Sequence, residues 1–411
     1  AREAGLASSA VTKIRLVSRG HGSALITGLS LILAACSSGE TARPGFPRTE
    51  LTPIEGAPFP NAAPEDVGLS AQQLWLFKER LYSRVVARHL VGSEILVIKD
   101  GNIVLHQAMG WADIDRAVPM ARNSVFRIAS MTKPFVGTAT LTLVEEGRFA
   151  LDDPAAKYLP SFENPRSSAI TIRHLLTHRS GFAQGAAPEG YADAPSLREA
   201  VDLLGAHGPD YPSGDDFIYS NLNSETLGAL VEVVTGQPVE QFLEQQIIQP
   251  LGLDDTHTSF TPEVPWAERV PSLYRRWGDG PWERFWNPLR PHEVNWFSSA
   301  GDLYGTAFDY AEFLTGFLAG QLLPDSTVAS AVADPVSGAR PAPVPRWYGM
   351  HWEIYAPSGG VGGLPAFGHR GATGTVGLAI PDANAIVVYL TNSQETAVSY
   401  THLRAHETTS H

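Results

Sequence analysis

Two hairpin signals at opposite ends of the folded stretch constrain this chain more than any other feature. Glu94 to Lys99 is an aliphatic, β-branched run, Asp100-Gly101-Asn102 is turn sequence, and Ile103 to His106 follows. Far downstream, Ala372 to Ile380, a turn over Pro381 to Asn384, and Ala385 to Leu390 repeat the arrangement. Ahead of the first hairpin, residues 66–90 carry Leu74, Phe77, Leu81 and Val85 at helix spacing. Between the hairpins, helical patterning covers 131–147, 171–178, 221–236, 238–250 and 306–320. Strands at both ends with helices between predict an α+β fold. Its antiparallel sheet is formed by strands from both chain ends, covered by helices, with a second, mainly helical lobe.

Composition removes several function classes. An apolar share of 43% over 411 residues supplies a sizeable core. A single Cys excludes a disulfide scaffold and a cysteine-cluster metal site. With 30 Lys+Arg against 43 Asp+Glu and no basic cluster, the chain lacks the footprint of a nucleic-acid binder.

The first 35 residues read as a signal peptide. Arg2, Lys13, Arg15 and Arg19 precede an uncharged run from Gly20 to Ala35, too short to span a bilayer. The run ends in Leu33-Ala34-Ala35-Cys36, which resembles the lipobox of bacterial lipoproteins. That resemblance implies lipidation at Cys36, export, and anchoring to a membrane on its periplasmic or cell-surface side. The alternative is an ordinary signal peptide followed by a chance Cys. Residues 36–65 are rich in Pro and Gly and read as an extended tether or as an arm lying on the domain. The folded domain is expected over 66–397, and residues 398–411 continue no pattern and read as a non-native tail. Residues 261–300 show little periodicity but hold Trp266, Trp277, Trp282, Trp286 and Trp296. They form either an apolar wall over a cleft or a satellite cluster that packs the loop down.

Three elements carry chemistry. In Phe126 to Pro134, Ser130 and Lys133 form S-x-x-K beside a helical pattern. Residues at i and i+3 share a helix face, so the amine can reach the hydroxyl. A serine hydroxyl needs an adjacent base, and a lysine serves as one only when burial or charge lowers its pKa. Next, Tyr219-Ser220-Asn221 precedes a helix, either as a proton shuttle and an amide donor or as a core aromatic and N-cap. Last, Phe367 to Thr375 contains His369, Arg370 and Gly371 at the opening of a strand. Gly371 permits close approach to the strand backbone.

Taken in this order and spacing, S-x-x-K, Y-x-N and H-x-G resemble the penicillin-recognising serine hydrolases. That superfamily holds class C β-lactamases, D-peptidases and β-lactamase-like carboxylesterases, and the resemblance covers about residues 66–397. It implies that Ser130 is acylated, Lys133 is its base and Tyr219 relays a proton. Asn221 would hold the acyl side of the substrate, with His369 and Gly371 beside it. The backbone N–H groups of Ser130 and Ala372 would form the oxyanion hole. No cofactor or metal is implied. His369 stands where class C β-lactamases carry Lys, which disfavours a β-lactam carboxylate. Arg370 either replaces that charge or points away to solvent. The implied partner is a small ester or amide, with esterase activity favoured over β-lactamase or D-peptidase. A non-hydrolysing penicillin-binding or sensor module is the alternative from another class. His174 and His178 lack the intervening Glu of a zinc motif and read as core or capping groups.

Overall fold

A computed structural model describes residues 46–49, 52–278, 280–289, 295–333, 347–356 and 363–396. The signal segment, Cys36 and the 398–411 tail lie outside these residues.

Both hairpins form. Gly92–Lys99 pairs antiparallel with Asn102–Asp113, and Asp100 and Gly101 turn the chain with φ of 51° and 73°. A tight hairpin turn needs positive φ at both central residues. Val376–Ile380 pairs antiparallel with Ala385–Thr391. The two hairpins then join, because Gly92–Lys99 also pairs with Ala385–Thr391. Among the described residues this sheet has eight strands. Their order is Val118–Pro119, Asn102–Asp113, Gly92–Lys99, Ala385–Thr391, Val376–Ile380, Ala366–Arg370, Glu353–Ala356, Trp347–Tyr348.

Strand Gly92–Lys99 is buried at every position, which explains the unbroken apolar run over residues 95–98 at its centre. Ile95 and Val97 cluster with Leu74, Phe77, Leu81 and Val85 of helix Ala71–Val86. Ser70 caps that helix by accepting from the Gln73 N–H. Leu96 and Ile98, on the other face, join the larger core. That core also contains helices Lys133–Glu145, Asn221–Thr235 and Ala307–Leu318.

The structure decides two open readings, adds two helices and revises one expectation. Residues 46–49 and 60–62 are an arm on the domain: Gly110 N–H donates to Pro47 O at 2.8 Å and Ile103 N–H to Pro60 O at 2.7 Å. A free tether does not describe them. Within 261–300, strands Leu273–Trp277 and Glu283–Trp286 pair, and Ser393–Thr396 adds to them in parallel. Trp266 and Trp286 belong to a satellite cluster with Phe260 and Tyr304, whereas Trp296 packs edge-on against Tyr191 at 5.9 Å. Helices Leu197–His207 and Asp325–Val332 were not anticipated. Finally, His369 ends a strand (Ala366–Arg370) rather than opening one; the next strand begins only at Val376. Among the described residues no helix is long and apolar enough to cross a membrane.

Candidate active site

Ser130 lies on a short 3-10 turn, Ala129–Thr132, that runs directly into helix Lys133–Glu145. The sequence spacing suggested one α-helical face. A 3-10 turn serves equally, because its i and i+3 side chains eclipse. Ala129 enters the turn with φ of 50°, a strained value for a residue with a Cβ. This reversal leaves Ser130 at the helix entrance, where backbone N–H groups have no helical partner.

Lys133 is fully buried. Its Nζ donates to Asn221 Oδ1 at 2.8 Å and to Ala300 O at 3.0 Å, and stands 3.2 Å from Ser130 Oγ. Burial lowers its pKa to about 7, and the Glu225 and Glu353 carboxylates pull it back upward. Nζ also stands 5.0 Å from the centre of the Tyr219 ring. Burial raises the Tyr219 pKa well above the ordinary tyrosine value, and its hydrogen-bonding neighbour Ser130 opposes that rise. The phenol is therefore neutral across the working range.

Ser220 is the N-cap of helix Asn221–Thr235, accepting from the Leu222 N–H at 3.3 Å. Capping fixes the chain direction so that Asn221, the first helical residue, meets Lys133. Behind Tyr219 lies a buried polar chain. His178 Nδ1 accepts from Asn223 Nδ2 at 2.9 Å and from the Ser220 N–H at 3.3 Å. Its Nε2–H therefore donates to Tyr348 Oη at 3.1 Å. The Tyr348 hydroxyl donates to His369 Nε2 at 3.0 Å, and His369 Nδ1–H donates to Arg370 O at 2.8 Å. Burial, with Lys133 and the other histidines nearby, holds His178 and His369 well below the usual histidine pKa. His351 is held at about 3, again through burial.

The third motif packs on the nucleophile turn. A Cβ on Gly371 would lie 2.2 Å from Thr375 Oγ1 and 2.5 Å from Ile128 O. Only glycine lets this strand end approach so closely, and Ala372 follows in the turn closed by Gly371 N–H to Thr375 O at 2.9 Å. Arg370 neither faces the site nor floats in solvent. It holds Glu353, with Nε 2.9 Å from Oε2 and Nη2 2.9 Å from Oε1. His369 is buried, with Tyr348 Oη and Arg370 O as the partners of its two ring nitrogens.

Sequence reasoning missed Tyr348, Ala300 and Glu225. Trp347 and Tyr348 form a two-residue strand, and a carbonyl has no side-chain signature. His174 completes a capping box with Thr171. Among the described residues no cluster of three metal-ligating side chains occurs.

A fully buried amine of lowered pKa beside a serine hydroxyl, set between a two-ended antiparallel sheet and a helical lobe, defines a serine hydrolase site. The family model described as Beta-lactamase matches residues 77–408, and the chain belongs to that family. It is 33% identical over 293 residues to Esterase EstB of Burkholderia gladioli, covering 63% of this chain and 74% of the esterase. Among solved structures, EstCE1, a hydrolase with promiscuous acyltransferase activity, superposes with a TM-score of 0.65 at 22% identity, covering 79% of this chain and 94% of that one. The D-amino acid amidase from Ochrobactrum anthropi SV3 superposes with a TM-score of 0.62 at 25% identity, covering 77% and 90%.

Proposed function

We propose that this chain hydrolyses small, uncharged esters through an acyl intermediate on Ser130, and that it is exported and held to a membrane by a lipid on Cys36. One observation carries the catalytic reading. A neutral lysine has two N–H groups and one lone pair, and the Asn221 and Ala300 oxygens at 2.8 and 3.0 Å accept both N–H groups. The lone pair is left for the Ser130 hydroxyl at 3.2 Å.

Lys133 removes the Ser130 proton as the oxygen attacks the substrate carbonyl. The N–H groups of Ser130 and Ala372 receive the developing oxyanion, a pair of donors of which each is typically worth about 3–4 kcal/mol. Tyr219, a neutral phenol, passes a proton to the leaving alkoxide and later orients water for deacylation. Asn221 uses Oδ1 to hold Lys133 and turns Nδ2 toward the acyl group. Ester cleavage is favoured over β-lactam or D-peptide cleavage because Arg370 is committed to Glu353 and His369 is neutral, so neither residue of this motif supplies a cation to a substrate carboxylate. The likeness to EstB supports the same choice. Export and anchoring rest on the basic segment, the apolar run and the Leu33-to-Cys36 sequence.

A fluorophosphonate probe should add one label to Ser130 by intact mass, and p-nitrophenyl butyrate should turn over. Ser130→Ala should lose the label and at least about a thousandfold in kcat. A wild-type enzyme that takes no label and cleaves the ester no faster than Ser130→Ala would refute the assignment.

A further inference from the structure

Glu225 lies one helical turn beyond Asn221, on the same helix, and reaches into a fully buried position behind Lys133. Its carboxylate makes two contacts with one segment. Ser298 Oγ donates to Oε1 at 2.6 Å and the Ser299 N–H donates to Oε2 at 2.8 Å. The next residue is Ala300, whose carbonyl accepts from Lys133 Nζ. One turn further along the helix, Gly228 lets the same segment press in, since a Cβ there would lie 2.0 Å from Ser299 Oγ. From its other side the segment is tied to the nucleophile turn. Leu303 N–H donates to Thr132 Oγ1 at 3.2 Å, and Arg127 pairs with Asp302 at 2.6 Å.

We propose that Glu225 is a positioning residue for Lys133, acting through Ser298 and Ser299 to aim the Ala300 carbonyl at the amine. The inference rests on Lys133 being the base. With the Ala300 carbonyl fixed, one N–H of the neutral amine is fixed, and the lone pair is directed at Ser130. A carboxylate is suited to this place because it accepts from both donors at once, whereas an amide offers a single acceptor oxygen. The charged groups facing Glu225 are Lys133 from its helix and Asp302 from the segment itself, with the Tyr191 phenol alongside. Burial raises the Glu225 pKa to about 7 against the pull of Ser298, Lys133 and Ser299. Once ionised, the carboxylate favours the protonated amine, so the two groups titrate together and Glu225 couples the geometry of the base to its titration.

The test compares Glu225→Gln and Ser298→Ala with wild type on p-nitrophenyl butyrate from pH 5 to 9, after fluorophosphonate titration of active sites. Glu225→Gln should lose at least about tenfold in kcat with KM within about twofold. The acid limb of its kcat/KM profile should move to lower pH, because the neighbour whose ionisation near the same pH helps Lys133 keep its proton is gone. Ser298→Ala removes a bond that favours the ionised carboxylate, and it should move the limb the same way by less. Circular dichroism checks folding. If Glu225→Gln does not fold, Ser298→Ala decides: a limb moved downward supports the inference, and an unmoved limb overturns it. A folded Glu225→Gln enzyme with wild-type kcat, or with lowered kcat and an unmoved limb, also overturns it. An inert wild-type enzyme would instead defeat the hydrolase reading, and this inference with it.

Discussion

Replacing Lys133 by Met tests the buried base without reference to any substrate. Methionine keeps the length of the stem but carries no titrating group. Lys133 titrates near 7 in the fold, below its ordinary 10.5, because burial penalises the ammonium. In the unfolded chain the amine holds its proton to about pH 10.4. Between pH 8 and 10 the unfolded state therefore binds one more proton at this site than the folded state, and stability must rise with pH. The slope is about 1.4 kcal/mol per unit, or about 2.7 kcal/mol across the window. Below about pH 7 both states carry the proton, and the full cost of burying the ammonium, of order 4–5 kcal/mol, falls on the wild type. The Met variant escapes that cost but strands the Asn221 and Ala300 oxygens, at about 1–3 kcal/mol each. It is thus expected to match or exceed wild-type stability at pH 7 while losing turnover. Urea unfolding of both proteins at pH 8, 9 and 10 measures the effect. The advantage of the Met variant should shrink by about 2–3 kcal/mol over that range. Parallel stability curves would show that the amine is not desolvated and would remove the physical basis for its role as a base.

Gly371→Ala places a methyl group 2.5 Å from the Ile128 carbonyl, so the strand end and the nucleophile turn must separate. A loss of about 1–3 kcal/mol in urea unfolding is expected, with kcat down at least about tenfold on p-nitrophenyl butyrate; wild-type kcat would contradict the packing argument. Tyr348→Phe cuts the buried chain and leaves His178 Nε2–H and His369 Nε2 without partners, at about 1–3 kcal/mol each by denaturation. Proton NMR of the histidine ring N–H groups should show the His178 signal shifted or lost to exchange, and an unchanged spectrum would contradict the assigned tautomers.

How much of this was legible beforehand differs by element for physical reasons. The two hairpins announced themselves because their strands are flanked by turn residues and buried on both faces. Residues 95–98 read as one apolar run for that reason alone. Helix Leu197–His207 also had its signature, with Ser196 as cap and Leu197, Ala200, Val201 and Leu204 on one face. It was passed over beside the loop-like stretch before it. The pairing of Leu273–Trp277 with Glu283–Trp286 was hidden because exposed Trp277 and Phe285 break the alternation expected of a half-buried strand. Motif spacing brought forward Ser130, Lys133, Tyr219 and Asn221, and the fold gathers the first two with Asn221 around one nitrogen. His369 shows the limit of such reading. A histidine within a motif invites a ligand contact, yet which atoms occupy its two nitrogens depends on Tyr348, a residue from a strand that no pattern reveals.

The charges around Lys133 bear on what the cleft accepts. Glu225 and Glu353 both act to raise the lysine pKa, and burial outweighs them. Arg370, the cation nearest in sequence to the motif, makes a bidentate pair with Glu353. Three histidines that would be cationic at lower pH are held neutral by burial. Once Lys133 has given up its proton, these groups supply no uncompensated positive charge. A substrate carboxylate beside these groups would lose its hydration without gaining an ion pair from any of them, at a cost of several kcal/mol. An ester with an uncharged acyl group carries no such penalty, and it develops negative charge only at the carbonyl oxygen, beside Ser130 and Ala372. The burial that makes the lysine a base near neutral pH thus supports the proposed preference for an uncharged substrate.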